Sequence, residues 1–256
     1  MVRQDERTRF VAGLRGARER AFGPGEYVGQ ESFMTATEIR RLGDHAGVGP
    51  GVSVLDLCCG IAGPGRLLAA DRGCDYVGVD YSASALAIAR QLAAGLPCRF
   101  VQGRVPPLPR FPESFDVVLL LETLLAFEDK RELLAAIASA LRPGGRLALT
   151  VEAGTPLTAI ERATMPDADT VWLIELDDLL ALLDGAGLEL ERHDDVTEAH
   201  LRTATDLLAA FGADAAAIEA RIGVRALDEL IAAHELWCAW MGTGRVRKHA
   251  VVARRR

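Results

Sequence analysis

The sequence predicts an α/β fold: a doubly wound, mostly parallel seven-stranded sheet with helices on both faces. Three observations carry that expectation. From residue 52 onward, short β-branched runs alternate with helical patterns, the signature of strands joined by crossover helices. One of those runs, FDVVLLLE (115–122), is almost wholly apolar, as a central strand covered on both faces must be. Ala and Leu abound while aromatic residues make up 5% of the chain, which suits many helices around one sheet.

The elements follow in order. Residues 1–22 place charges around a few apolar side chains and read as a helix. The segment 22–34, FGPGEYVGQESFM, is punctuated by Gly and Pro and reads as a loop. Thr35 or Thr37 caps a helix that dies at Gly47. A turn at Gly49, Pro50 and Gly51 leads to VSVLDL (52–57), the first strand. After CCGIAGPG comes RLLAADR, the start of a helix, and then CDYVGVD (74–80), the second strand. Ser82 caps a helix over 82–96, with Gly95 near its end. CRFVQG (98–103) is the third strand and 115–122 the fourth. Residues 129–145 form an amphipathic helix stopped by Pro143, Gly144 and Gly145, and RLALTVEAG (146–154) is the fifth strand. Residues 155–174, with Pro156, Pro166 and Trp172, are irregular and read as a flap. Residues 174–195 give a helix, a break at Gly185 and Gly187, and the sixth strand. Two or three helices rich in Ala and Leu fill 197–241. RVRKHAVVARR is the last strand, its charged residues facing outward, followed by a frayed terminus. With no repeat and no low-complexity linker, 1–256 is expected to be a single domain. Within it, 1–34 is an N-terminal segment, 35–154 the core, and 155–256 added helices and the last strands.

Composition narrows the function classes. Lys and Arg number 29 against 36 Asp and Glu, a net charge of −7, which repels phosphate backbones and disfavours nucleic acid as a partner. Five Cys without C-x-x-C spacing offer neither a zinc site nor a disulfide framework, so no metal is expected. No uninterrupted apolar stretch of about 18 residues marks a membrane span, and MVRQDERTRF lacks the apolar stretch of a secretory leader. The expectation is a reduced, cytoplasmic protein with neither nucleic acid nor membrane as partner. No Gly-x-Ser-x-Gly elbow supports acyl hydrolysis.

The chemistry concentrates in VLDLCCGIAGPGRLLA (54–69), where a strand runs into Gly60, Gly63 and Gly65 and a helix follows. Glycine lets backbone amides approach a ligand closely, and the helix N-terminus adds unpaired N–H groups and a partial positive charge. Asp80 ends the next strand, where a carboxylate accepts both hydroxyls of a ribose. Together they point to an adenosine-bearing cofactor. The glycine order is G-x-x-G-x-G, and Asp56 sits inside the preceding strand. That carboxylate repels a pyrophosphate but not an ammonium, which favours a nucleoside carrying an amino acid over a nicotinamide dinucleotide.

These residues resemble the class I S-adenosylmethionine-dependent methyltransferases. VLDLCCGIAGPG is similar to their first motif and YVGVDYS (76–82) to their second. VQGRVPPLPRFPESFDVVLLLE (101–122) looks like their loop into strand four, and LRPGGRLALT (141–150) like the segment leading into strand five. The resemblance covers roughly residues 35–195 and is closest to small-molecule enzymes of bacterial specialised metabolism. It implies a Rossmann-like fold whose N- and C-terminal helices form a lid, with S-adenosyl-L-methionine as cofactor and S-adenosyl-L-homocysteine as product. By the same resemblance, Gly60 and the carbonyl of Cys58 hold the methionine part, Asp56 orders the loop, Asp80 binds the ribose and Tyr81 lies against the adenine. Arg104 and Val105 occupy the adenine-edge position. Many members carry Asp there to accept from the adenine amino group, which Arg104 cannot do; it would stack on the ring or leave it to backbone groups. Leu121 would sit beside the methyl-bearing sulfur, and Tyr27 would close on the cofactor's carboxylate.

Methyl transfer asks the protein to align nucleophile, methyl and sulfur and to exclude water; alignment alone contributes about 7–11 kcal/mol. A base adds roughly 10²–10⁴-fold where the acceptor carries a proton. Glu122, ending strand four, is a partly desolvated carboxylate and a candidate base or cation partner. His200, after strand six in DDVTEAH, is the second candidate. A His that many relatives place shortly after strand four is missing, since Leu125, Ala126 and Phe127 stand there. His234 reads as a packing or helix-surface residue, and His45, His193 and His249 as structural. Phe33, Met34, Phe127, Trp172, Trp237 and Trp240 build either an apolar acceptor pocket or ordinary core. The expected function is methyl transfer to O, N or C of a small apolar or aromatic metabolite. Two alternatives stay open: a protein or cyclase that binds S-adenosylmethionine without transferring its methyl, and a nicotinamide-dependent oxidoreductase.

Overall fold

The computed structural model describes residues 4–165 and 168–256; positions 1–3 of the first expected helix, and Pro166 of the expected flap, lie outside the described residues. Two helices precede the sheet, α1 (Gln4–Phe22) and α2 (Ala36–Ala46). A reciprocal capping box starts α2: the Glu38 amide donates to Thr35 Oγ1 at 3.1 Å and the Thr35 amide donates to Glu38 Oε2 at 2.8 Å. Of the two expected caps, Thr35 is the one used. Strands and helices then alternate as β1 (Ser53–Leu57), α3 (Gly63–Arg72), β2 (Asp75–Asp80), α4 (Ala83–Leu92), β3 (Cys98–Gln102), β4 (Phe115–Leu120), α5 (Lys130–Ala140) and β5 (Leu141–Ala153). After α6 (Ala159–Thr164) come α7 (Leu176–Gly185) and β6 (Leu188–Asp195). The chain ends with α8 (Thr197–Ala213), α9 (Ala215–Ile222), α10 (Val224–Thr243) and β7 (Arg247–Arg255).

The sheet has seven strands in the order β3-β2-β1-β4-β5-β7-β6. The first five are parallel, and β7 inserts antiparallel between β5 and β6. The strand order reverses between β1 and β4, so the crevice where open α/β sheets bind ligands lies at their C-terminal ends. The period-two alternation of β1 divides its side chains between two cores. Leu55 and Leu57 join Leu133, Leu134, Leu179 and Leu183 of α5 and α7 on one face. Val54 joins Ile39, Leu42 and Leu68 of α2 and α3 on the other. A third apolar cluster, around Leu14, Leu207, Phe211 and Leu227, holds α1, α8, α9 and α10 together beside the sheet. Among the described residues no helix is long and apolar enough to cross a membrane.

Several local expectations are corrected. The helix expected over 129–145 ends at Ala140, and Pro143, Gly144 and Gly145 belong to the start of β5. Leu141 already pairs with Phe115, and the register slips before Val117 meets Arg146. At such an irregularity a proline without N–H costs no ladder bond. The helix from Ser82 stops at Leu92, because amide bonds from Leu96 to Ala93 O and from Cys98 to Leu96 O close a turn into β3. β4 stops at Leu120, which leaves Leu121 and Glu122 beyond the strand. The expected flap contains α6, capped by Thr158 and Glu161. The C-terminus is not frayed: β7 runs to Arg255, and the Arg256 amide donates to Gly187 O at 3.0 Å. Nor do all the charges of β7 face outward, since Lys248 is buried.

Candidate functional site

The glycine loop between β1 and α3 is built on backbone positions that few residues tolerate. Cys58, Gly60 and Ala62 have φ of 60°, 56° and 58°. With Glu122 at 57°, Cys58 and Ala62 are the only non-glycine residues of positive φ among the described residues. Such conformations cost of order 1–3 kcal/mol and gather where function demands them. Gly63 and Gly65 answer a different need. A Cβ on Gly63 would lie 2.6 Å from the carbonyl carbon of Gly29, and one on Gly65 would lie 2.0 Å from the Tyr76 ring. These two glycines let α3 settle against the 29–32 loop and against β2.

The loop frames a cleft of about 620 Å³, lined by Gly29–Ser32, Asp56, Cys58, Cys59, Gly60, Gly63, Pro64 and Leu121–Thr123. Four expected cofactor residues, Asp56, Cys58, Gly60 and Leu121, meet here with Glu122. Asp56 is buried and accepts from Tyr76 Oη at 2.6 Å; burial pushes its carboxyl up to about 7, the Tyr76 hydroxyl opposing and the Asp80 charge adding. Burial also pushes Cys58 up to about 12 and raises Cys59, so both remain thiols. Asp80 stands behind the loop: Oδ2 accepts from the Gly60 amide and Oδ1 from the Ser82 amide, each at 2.8 Å. A carboxylate has roughly four acceptor sites, so two further donors can be served. Beyond Asp80, Tyr81 is 65% exposed and the Arg104 guanidinium lies 5.6 Å from its ring centre; neither is among the residues lining the cleft. Val105 packs against the core beneath. Tyr27 does not line the cleft. Its ring packs 5.7 Å from Phe22, and Arg18 Nη1 approaches its hydroxyl at 3.5 Å.

A second cavity, about 710 Å³, adjoins the cleft and shares Glu31, Ser32 and Glu122 with it. Its walls include Phe33, Leu125, Leu207 and Trp237 from the expected apolar set and its surroundings, together with Arg18, Glu152, His234 and Lys248. Met34, Phe127, Trp172 and Trp240 pack elsewhere. At the junction of the two spaces Glu122 Oε2 accepts from Lys248 Nζ, which also donates to Glu152 Oε1 at 2.6 Å. Glu152 and Lys248 are directly opposite each other on β5 and β7. Burial alone pushes the Lys248 ammonium down, but the two carboxylates outweigh it and hold it above its usual value. Glu122 is therefore an ion-paired carboxylate, in the cation-partner role the sequence allowed it. Its amide donates to Thr150 Oγ1 at 2.6 Å, while Oε1 has no hydrogen-bond partner.

His200 lies behind Glu122, fully buried, with Nδ1 3.9 Å from Glu122 Oε1 and Nε2 3.6 Å from Glu38 Oε1. It faces neither large cavity but a smaller one lined also by Glu38, His45 and Asp194. Burial, reinforced by the Lys248 charge, pushes it well below the usual histidine range, so it is a neutral imidazole. Sequence reasoning missed Lys248, Glu152 and Arg18. The signal for the first two was a single acid in the apolar run LALTVEA and a single Lys in KHAVVA.

Comparison with known proteins agrees with this geometry. A family described as "Methyltransferase domain" matches residues 54–145, from β1 into β5. The chain is 32% identical over 180 residues to methyltransferase GfsG of Streptomyces halstedii, covering 67% of this chain and 65% of that protein. It is 33% identical over 143 residues to phosphoethanolamine N-methyltransferase 3 of Arabidopsis thaliana, covering 55% of this chain but only 28% of the relative. An uncharacterized methyltransferase of Synechocystis is 30% identical over 161 residues, with 58% of this chain and 72% of the relative covered. Among solved structures, phosphoethanolamine N-methyltransferase 2 of Haemonchus contortus superposes with a TM-score of 0.79 at 19% identity, over 96% of this chain and 57% of that one. The [4+2]-cyclase SpnF superposes with a TM-score of 0.73 at 19% identity, over 98% and 96%. The Haemonchus protein was solved with S-adenosylhomocysteine bound. Motif order, strand order and relatives agree, and the chain belongs to the class I S-adenosylmethionine-dependent methyltransferases.

Proposed function

We propose that this protein transfers a methyl group from S-adenosylmethionine, held in the cleft, to a small molecule held in the adjoining cavity. The single observation that carries this reading is Glu122, which lines both spaces at their junction. The residues present fit such a cofactor. Asp80 keeps acceptor capacity for ribose hydroxyls, the positive-φ loop at 58–62 presents backbone to the cleft, and Asp56 offers a carboxylate to an ammonium. Tyr81 with Arg104 makes a shelf for the adenine, and Leu121 lies on the side of Glu122. The cofactor supplies an electrophilic methyl on a sulfonium. The chain supplies alignment, exclusion of water, and a carboxylate oxygen, Glu122 Oε1, free to take a proton from the acceptor. His200 is a positioning residue behind that oxygen. α1, the loop after it to residue 34, and α8–α10 form the lid, and Phe33, Leu125, Leu207 and Trp237 give the acceptor's apolar or aromatic body its walls.

The test is direct. S-adenosylhomocysteine is expected to bind the purified protein by calorimetry, and label from methyl-labelled S-adenosylmethionine is expected to pass into small molecules of an extract. Absence of binding overturns the reading. Binding with the donor left intact turns it toward the cyclase or binding-protein alternative, a turn for which the SpnF likeness at 19% identity supplies the fold alone. Glu122→Gln is expected to lower turnover by roughly 10²–10⁴-fold and to leave cofactor affinity nearly unchanged; undiminished turnover rejects Glu122 as the base.

A further inference from the structure

The acceptor cavity contains a cation that the fold does not answer. Arg18, on α1, lines the cavity and is 7% exposed. Its guanidinium makes one hydrogen bond among the described residues, the 3.5 Å approach of Nη1 to Tyr27 Oη. Three carboxylates line the same cavity, Glu31, Glu122 and Glu152, yet none is among its ion pairs. Glu122 and Glu152 are both committed to Lys248. An arginine stays charged at all accessible pH and offers five donors in a planar fork. Buried charges are ordinarily paired, because an uncompensated one costs several kcal/mol. The neighbouring His234 adds no competing charge: burial pushes it below its usual value against its bond to Leu230 O, and the Arg18 charge pushes it the same way.

We propose that Arg18 is the anchor for an anionic group, a carboxylate or a phosphate, on the molecule this cavity binds. The proposal rests on the reading above only in calling that molecule the methyl acceptor. The cavity is then polar at two places and apolar between them. Arg18 receives the anion, Phe33, Leu207 and Trp237 line the body, and Glu122 Oε1 with Glu152 Oε2, both without a hydrogen-bond partner, receive a group that carries a proton. This adds an anionic group to the apolar or aromatic metabolite that the sequence suggested. A planar two-oxygen anion matches the guanidinium fork, and such charge-assisted contacts are the strong ones.

The experiment titrates phenylacetate, phenyl phosphate and the neutral phenylacetamide into the protein by calorimetry, with and without saturating S-adenosylhomocysteine. At least one anion is expected to bind about tenfold or more tightly than the amide, as one charge-assisted hydrogen bond allows. The preferred anion tells carboxylate from phosphate. Arg18→Met is expected to lose that preference while keeping S-adenosylhomocysteine affinity, and Arg18→Lys to keep part of it. Equal affinity for the anions and the amide in the wild type, or an undiminished preference in Arg18→Met, overturns the proposal. Arg18-dependent preference for an anion without S-adenosylhomocysteine binding would sink the methyl-transfer reading and leave this one standing. Cofactor binding without the preference does the reverse.

Discussion

Burial in the cleft moves the Asp56 carboxyl into the neutral pH range. Its carboxyl is raised from 3.8 to about 7 in the folded protein. Below 3.8 it is protonated whether the chain is folded or not, and no stability difference arises. As pH climbs from 3.8 toward 7, the unfolded chain gives up the proton while the folded chain keeps it, so folding loses stability across that window and levels off above it. Asp56→Asn is neutral throughout and still accepts from Tyr76 Oη. Melting temperatures from pH 4 to 8 are expected to fall for the wild type relative to the variant, reporting a stability loss on the order of a few kcal/mol; parallel curves would reject the raised carboxyl. Asp80 matters as a hydrogen-bond acceptor. Asp80→Ala is expected to weaken S-adenosylhomocysteine binding by about 1.5–3 kcal/mol. It also deprives the Gly60 and Ser82 amides of their partner, so the loop loosens with it. Unchanged affinity in calorimetry would move the ribose site elsewhere.

At the scale of elements, the turn between β1 and α3 is decided by close contact and the length of α1 by propensity. Gly65→Ala would drive a methyl into the Tyr76 ring, and Tyr76 is fully buried with its hydroxyl on Asp56. Overpacking of this kind is expected to cost about 1–3 kcal/mol and to disturb the cleft as well. Gly16 in the middle of α1 has only the Arg20 guanidinium within reach of a new Cβ, at 3.7 Å. Gly16→Ala is therefore expected to stabilise by roughly 0.5–1 kcal/mol. Chemical denaturation of the two variants should move in opposite directions; a shared direction would contradict the contact reading. Lys130, at the start of α5, ties two more segments together by donating to Phe127 O and Trp172 O, each at 2.6 Å. Burial pushes its ammonium down to about 8, with Glu152 opposing.

Across the whole molecule, one buried ammonium joins parts of the chain that are far apart in sequence. Lys248 of β7 holds Glu152 of β5 and Glu122 beyond β4, and its Nζ also lies 5.1 Å from the centre of the Phe33 ring. Lys248→Met leaves two carboxylates buried without their cation and is expected to destabilise by about 3–5 kcal/mol. Adding Glu122→Gln and Glu152→Gln should recover most of that loss, since neutral amides remove the unpaired charge; failure to recover would mean that Lys248 acts by packing. The same arrangement marks where reading the sequence stopped. The positions of Gly60, Gly63, Gly65, Asp56 and Asp80 on a strand, its turn, the next helix start and the end of the second strand were legible because such features are local. The alternating strand pattern was legible because side-chain period and apolarity are also local. Lys248 was read as facing outward, because nothing within β7 says that Glu152 lies opposite it. Tyr27 was assigned to the cofactor and instead packs on Phe22, because the path of a Gly- and Pro-rich loop is set by what it lands on. Arg18 looked like one charge among many on a charged helix. The sequence by itself determined the order of elements and the place of the glycine turn after the first strand, both of which depend on neighbours along the chain. Tertiary structure alone decided which charges are answered and which are left facing the second cavity, because pairing and desolvation are properties of groups that only folding brings together.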